Sequence, residues 1–499
     1  MKSFRIFFLL AWMGAGNVWA APGSPGRLTV PPVTNSPVDV QAAAPGRMKV
    51  PPSNTGIIPP TPETDPYSTL AGDSAFLAGE ETDPMDDFQD LVREATAFQS
   101  KDARVNLDFD FYFSMDNWGM SQPPPPIIEN SNNYLASPRL SVLAQNDFYD
   151  VGKIVVLGRL DRGFDPTDGP AQVRPDEFYF VGDPAEGMFR VSVGKMGTGM
   201  GQWSRRYVEW ENPMVNAPLA YEWLTTATSE GARPYSSSVT AIPIVNPFGV
   251  IVGYRYIYSN AGGAGAFLNR RNVVSNRDTW IPIIWGPAYT TGARIDGTVE
   301  QFDYVFEVKN NAPSSSPADW NPWNHFYATG LNYAGRLGWR PAMDWNLGVS
   351  ASTGPYLNPD AVGMTGGNSW YNYNQNVFGM DASWARGPLQ IWGEGWWSSF
   401  DIPGGVGTVS LWSYFLESKW KFASGWWLST RWNQQIYGEI ANPNGGYTPW
   451  GNDVWRVDAC LGYSINRMVT LKMQYSYTGE CGSLQQGQHL GDLQVVFAF

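Results

Sequence analysis

"RVNLDFDFYFSM", residues 104–115, alternates without a break: Val105, Leu107, Phe109, Phe111 and Phe113 share one face, and Asn106, Asp108, Asp110, Tyr112 and Ser114 share the other. A period of two marks a strand, because successive side chains leave it on opposite sides. The pattern returns at "VEQFDYVFEVK", where Phe302, Tyr304, Phe306 and Val308 oppose Asp303, Glu307 and Lys309. It returns again at "DWNLGVSAS", with Trp345, Leu347, Val349 and Ala351 against Asn346, Gly348 and Ser350, and over 455–465 and 469–477. The chain's last stretch, "GDLQVVFAF" (491–499), sets Leu493, Val495, Phe497 and Phe499 against Asp492, Gln494, Val496 and Ala498.

Composition says where such strands belong. The chain carries 24 Trp, 24 Tyr and 25 Phe, yet its mean hydropathy is negative and no apolar run is long enough to span a bilayer as a helix. A membrane β-barrel reconciles these, since lipid-facing residues alternate with polar lumen residues while aromatics gather in two interfacial girdles. A secreted soluble β-protein is the competing reading; a sandwich also alternates, but its polar face has no need to be so uniformly small and hydrophilic. With 46 acidic against 33 basic residues and a net charge of −13, nucleic acid is a poor partner.

The connections alternate in length. Short turns at 246–249, 340–343, 386–387 and 465–467 interleave with long polar stretches at 116–136, 197–235, 260–280, 310–324 and 356–373. Short turns on one side and long loops on the other are expected of an outer-membrane barrel, and the segments number about 18, with 16 possible. The expected fold is therefore an all-β, transmembrane, antiparallel up-and-down barrel over residues 104–499.

What precedes the barrel reads differently. Lys2 and Arg5, the apolar run 6–15 and Val18-Trp19-Ala20 read as a secretory signal peptide over 1–20. Residues 21–82 are Pro-rich, and "PGRLTVPP" is echoed by "PGRMKVPP", a flexible periplasmic linker or a duplicated docking motif. Residues 83–103 read as a short amphipathic helix, with Asp83 as N-cap, Pro84 at the first position and Met85, Phe88, Leu91, Val92, Ala95 and Phe98 at helical spacing.

On Phe499, Phe497, Val495 and Leu493, together with the dyad repeat and loop asymmetry, the chain resembles the Gram-negative outer-membrane porins, trimeric diffusion channels of 16 or 18 strands. The resemblance implies that Phe499, Phe497 and Val495 form the signal read by the barrel assembly machinery and that the last strand closes against the first. It further implies a homotrimer in outer-membrane lipid and lipopolysaccharide, and a third extracellular loop folded into the lumen as a constriction. The longest loop-like stretch follows the fifth strand and carries Arg205, Arg206, Glu209, Glu211, Glu222 and Arg233; opposed acids and bases there would set a transverse field that sorts small hydrophilic solutes by charge.

Taking alternate residues inward gives eleven basic lumen candidates, among them Arg159, Arg190, Arg255, Arg336 and Arg431, against ten acidic ones, among them Asp303, Glu307 and Glu394. The two signs nearly balance, so no strong charge selectivity follows from the wall. Trp392 and Trp396 share the face of Glu394, an arrangement that suits sugar rings, whose C–H faces pack on aromatics. Neither a cofactor nor a metal site is indicated, with two isolated histidines, His325 and His489, and no paired-cysteine motif. Cys460 and Cys481 are out of register for a cross-strand disulfide. The histidines lack sequence neighbours for hydrolytic chemistry, so an enzyme is not expected. A structural or conduit barrel, holding cell wall or a multihaem cytochrome through the N-terminal segment, is the alternative function.

Overall fold

The computed structural model describes residues 98–99, 105–121, 133–148, 152–162, 171–185, 187–229, 233–234, 238–245, 251–259, 265–266, 280–316, 330–358, 369–403, 407–441, 446–481 and 487–499. Sixteen strands form one closed antiparallel ring. They are β1 (Val105–Met120), β2 (Tyr134–Phe148), β3 (Gly152–Asp161), β4 (Gln172–Gly182), β5 (Arg190–Met196), β6 (Thr290–Val299), β7 (Phe302–Lys309) and β8 (Asn332–Trp339). The second half comprises β9 (Trp345–Pro355), β10 (Asn374–Arg386), β11 (Leu389–Ile402), β12 (Gly407–Ala423), β13 (Trp426–Tyr437), β14 (Val454–Ser464), β15 (Val469–Glu480) and β16 (Gln488–Ala498). β16 pairs with β1 from Ala498↔Tyr112 to Leu490↔Met120, and Phe499 exchanges both backbone hydrogen bonds with Phe111. Closure removes the free edges that an open sheet would expose.

The wall is inside out relative to a soluble protein. On β13 Ser429, Arg431, Asn433 and Gln435 are buried, whereas Trp426, Leu428, Trp432 and Ile436 are exposed. Leu337, Leu416, Met473 and Leu493 stand outward at 65%, 57%, 58% and 49% exposure, while Glu307, Glu417 and Asp458 are fully covered. An apolar exterior around the whole ring needs lipid as its solvent. Aromatic girdles bound it: Trp345 and Trp384, then Trp420, Phe422, Trp426 and Tyr463, at the short-turn end, and Trp455 and Tyr477 toward the loop end.

The strand number resolves to the smaller of the two expected, and several local expectations change. The count is 16, because Ser238–Val245 and Ile251–Ser259 pair only with each other, as a hairpin outside the ring, while β5 pairs directly with β6. The turn expected at 246–249 lies outside the described residues, and the strand that carries Arg255 is not one of the ring's. Loop 116–136 is shorter than expected, since β1 runs to Met120 and β2 begins at Tyr134. The helix expected over 83–103 lies mostly outside the described residues; at its end Phe98 and Gln99 form a two-residue strand against Leu107 and Asn106. This strand occupies the edge of β1 that β16 no longer covers.

Candidate functional site

Residues 197–289 connect β5 to β6, the third connection at the loop end, so the long loop lies where the strand order placed it. Two of its described segments, 197–229 and 280–289, turn into the barrel and pair with each other: Thr225 N donates to Ile281 O, Ile281 N to Ala227 O, Ile284 N to Ala220 O and Gly286 N to Tyr221 O.

Wall carboxylates and hydroxyls catch the entering strand of this loop one after another. Gly197 N donates to Glu177 of β4, Gly199 N to Glu307 of β7 at 2.7 Å and Gly201 N to Ser350 of β9 at 3.2 Å. Gln202 N and Trp203 N both donate to Glu394 Oε1 of β11, at 2.6 and 2.7 Å, where the 3-10 turn Trp203–Arg206 begins. A carboxylate at the start of a helical turn satisfies amides that have no partner within it. Glu394 also accepts from the Tyr221 hydroxyl and the Trp396 indole.

Farther on, the loop crosses the lumen. Arg206 pairs with Glu417 of β12 at 2.8 Å, and three residues later Glu209 meets Arg139 of β2 and Arg159 of β3. Trp210 stacks on Tyr112 of β1, ring centres 3.5 Å apart. Lys472 of β15 donates to Glu209 O, Val215 N donates to Gln474, and Arg431 and Arg456 hold Ala217 O, with Arg456 also on Glu222. Burial pushes the Glu209 carboxyl up, but Arg139 and then Arg159 more than reverse this, leaving it below its ordinary value. Glu222 is raised, because burial outweighs Arg456; a charge removed from water needs more than one partner to recover the loss.

The loop also has an apolar anchor. Trp280, Ile281, Ile283, Ile284 and Trp285 pack with Trp203, Tyr221 and Leu224 against inward Val377, Trp396, Phe400, Leu411 and Phe415 of β10–β12. Gly379 makes room: a Cβ there would fall 2.2 Å from the Trp396 ring.

Of the loop residues expected at the constriction, Arg206, Glu209 and Glu222 are buried inside the barrel, Arg205 is exposed, Glu211 is half-buried, and the side chain of Arg233 lies outside the described residues. On the wall Arg159, Arg336, Arg431, Asp303, Glu307, Glu394, Trp392 and Trp396 are buried and inward, and Arg190 pairs with Asp296 near the short-turn end. The charges do not oppose one another across open space. They touch: Arg336 binds both Asp303 and Asp381, and Arg431 binds Glu417 and Asp458. Trp392 carries Arg206 on its ring at 4.1 Å, and Tyr221 stands edge-on to Trp396, so the faces expected to receive sugars are occupied by the loop. Phe497 and Val495 lie on the outward face of β16. Cys460 and Cys481 are free thiols, and Cys460 pairs in register with Gln474. His489 Nδ1 lies 2.7 Å from the Tyr475 hydroxyl on the barrel's outward face. Sequence reasoning named Glu307 and Glu394 as inward but missed that they hold the loop backbone, and it missed the anchor at 280–285, where the apolar run itself was the signal.

No protein-family model matches the chain, and no curated protein matches it in sequence. Solved structures similar to it include OmpT of Vibrio cholerae (9% identity, 81% of this chain and 100% of that one, TM-score 0.45). An anion-selective porin from Comamonas acidovorans gives 8% identity, 79% and 99% coverage and a TM-score of 0.45. The outer-membrane channel DcaP of Acinetobacter baumannii gives 8% identity, 81% and 100% coverage and a TM-score of 0.46. Likeness at this level carries no residue roles across; the barrel's own wall decides its class. The chain is a closed, 16-stranded β-barrel whose exterior faces lipid. Its inverted surface, paired aromatic girdles and short-turn/long-loop asymmetry all serve the same environment.

Proposed function

We propose that this barrel is a channel for small hydrophilic solutes, narrowed from within by residues 197–229 and 280–289, with its passage along the charged wall of β1–β3. The observation that carries this is the contact of Glu209 with Arg139 and Arg159. On the β10–β12 side the loop is held by apolar packing together with the bonds to Glu394 and Glu417; on the β1–β3 side it is held by ion pairs and one ring stack without an apolar anchor, the sparser attachment. Solutes would be sorted there by charge rather than by stacking on Trp392 and Trp396. Residues 1–20 would act as the export leader, the last strand with Phe499 would engage the assembly machinery, and three copies would associate in the membrane.

Liposome swelling with neutral and charged solutes of graded size tests the reading. Swelling that falls with size and differs with charge is expected; no swelling with any solute from a correctly folded barrel overturns it. The filled lumen favours a second reading, a plugged barrel that tethers a partner through residues 21–97. Deleting those residues should leave swelling unchanged in a channel and abolish partner capture in a tether.

A further inference from the structure

Lys419 stands on the inward face of β12, toward the short-turn end. Its ammonium lies 4.8 Å from the centre of the Trp427 ring, and among the described residues it makes neither a hydrogen bond nor an ion pair. The charges that act on it most strongly are cations, Lys421, Lys472 and Arg206, ahead of a single carboxylate, Glu417. That carboxylate is already engaged, by Arg206 Nη1 at 2.8 Å and Arg431 Nη1 at 3.1 Å. Asp458, the next acid along this wall, binds Arg431 and Arg456. Arg206 itself is only 3% exposed, yet its Nε and Nη2 have no hydrogen-bond partner among the described residues.

Lys419 is therefore left without a carboxylate of its own, the nearest one acting on it being shared by two arginines. Inside a membrane-spanning barrel an uncompensated cation is costly, and the usual remedy is a counter-charge. Lys419 is half-buried and Lys421 exposed, so a solute entering from the short-turn end reaches both. Trp427 is fixed as the floor: it sits over Gly462, where a Cβ would fall 2.0 Å from the ring, and its indole points at Pro213 O of the inserted loop.

We propose that Lys419 and Lys421, backed by Arg206 and floored by Trp427, form a binding site for a small carboxylate or phosphate anion at the short-turn mouth of the lumen. An ammonium offers three rotatable donors and no fixed fork, which suits small anions of either geometry. Because Arg206 and Pro213 belong to the loop that crosses the lumen, the occupied site adjoins the constriction. The transport role of the site rests on the channel reading, but its occupancy does not.

The test is calorimetric titration of the full-length refolded protein in detergent with sodium benzoate and, separately, with inorganic phosphate. Binding of at least one probe is expected, weakened about tenfold or more in Lys419→Gln and retained in Lys419→Arg, a tenfold loss corresponding to about 1.4 kcal/mol. No binding of either probe to the wild type, or equal binding by Lys419→Gln, overturns the proposal. Should Lys419→Gln not refold, reductive 13C-methylation of the wild type, which preserves lysine charge, gives the same answer: the Lys419 methyl resonance moves on addition of the bound probe, and a stationary resonance overturns the site. A barrel that binds anions yet passes no solute refutes the channel reading alone; one that conducts without Lys419-dependent binding refutes this site alone.

Discussion

Replacing Glu394 with alanine should free the first half of the inserted loop without unfolding the barrel. The carboxylate accepts from the amides of Gln202 and Trp203, from the Tyr221 hydroxyl and from the Trp396 indole. In Glu394→Ala four buried donors lose their acceptor, and each such loss costs about 1–3 kcal/mol. Three of these donors, Gln202 N, Trp203 N and the Tyr221 hydroxyl, belong to the loop, so at the lower end, because water can enter the space the side chain leaves, its attachment weakens by about 3 kcal/mol, or roughly 150-fold in the opening equilibrium. The ring's strand pairing is untouched, so the barrel should keep its heat-modifiable migration on a gel. Amide hydrogen exchange at Gln202 and Trp203, read by mass spectrometry, should accelerate by orders of magnitude while exchange in β11 and β12 stays slow. Unchanged exchange at these two amides in a folded Glu394→Ala barrel would refute the argument that wall carboxylates hold the loop.

Other outcomes follow from the same contacts. Glu209→Gln removes the charge shared by Arg139 and Arg159 and should raise single-channel conductance and shift selectivity toward anions; an unchanged reversal potential would count against the passage along β1–β3. Because Glu209 titrates below its ordinary value of about 4.3, its hold on the arginines is present above that value and lost as pH falls through the lower folded value. Conductance should therefore be flat from neutral pH to near pH 5 and change only in stronger acid, which a pH series in planar bilayers reads. Leu416→Lys places a cation on the lipid face at mid-strand and should destabilise the barrel by about 2–4 kcal/mol in a reversible urea titration in lipid vesicles. Gly462→Ala must displace the Trp427 ring, so near-ultraviolet circular dichroism should change while strand content holds.

Much of this architecture was legible because a lipid-facing wall writes its two faces into alternate residues. Phe302 and Phe306 against Asp303 and Glu307 could be sorted by parity alone, and they stand outward and inward as sorted. The strand count stayed open between 18 and 16 for the same reason. Ser238–Val245 and Ile251–Ser259 read like a pair of wall strands separated by the turn-forming sequence Asn246-Pro247-Phe248-Gly249; only long-range pairing, Thr290 with Met196, excludes them from the ring, and no local signal encodes that. Parity likewise gave the direction of Glu394 and Trp396 but not what they meet, since the loop that covers them is distant in sequence. The same gap produced the expectation of free sugar-stacking faces. The helical spacing at 83–98 is a local preference, and at Phe98–Gln99 the unpaired edge of β1 outcompetes it.

Single-channel recording of the refolded full-length protein in planar bilayers tests the central claim most directly. The account predicts discrete, stable conductance steps, with a reversal potential that Glu209→Gln shifts. Electrical silence from a barrel shown to be folded by heat-modifiable migration would contradict it, and the residues at 197–289 would then be a seal rather than a constriction.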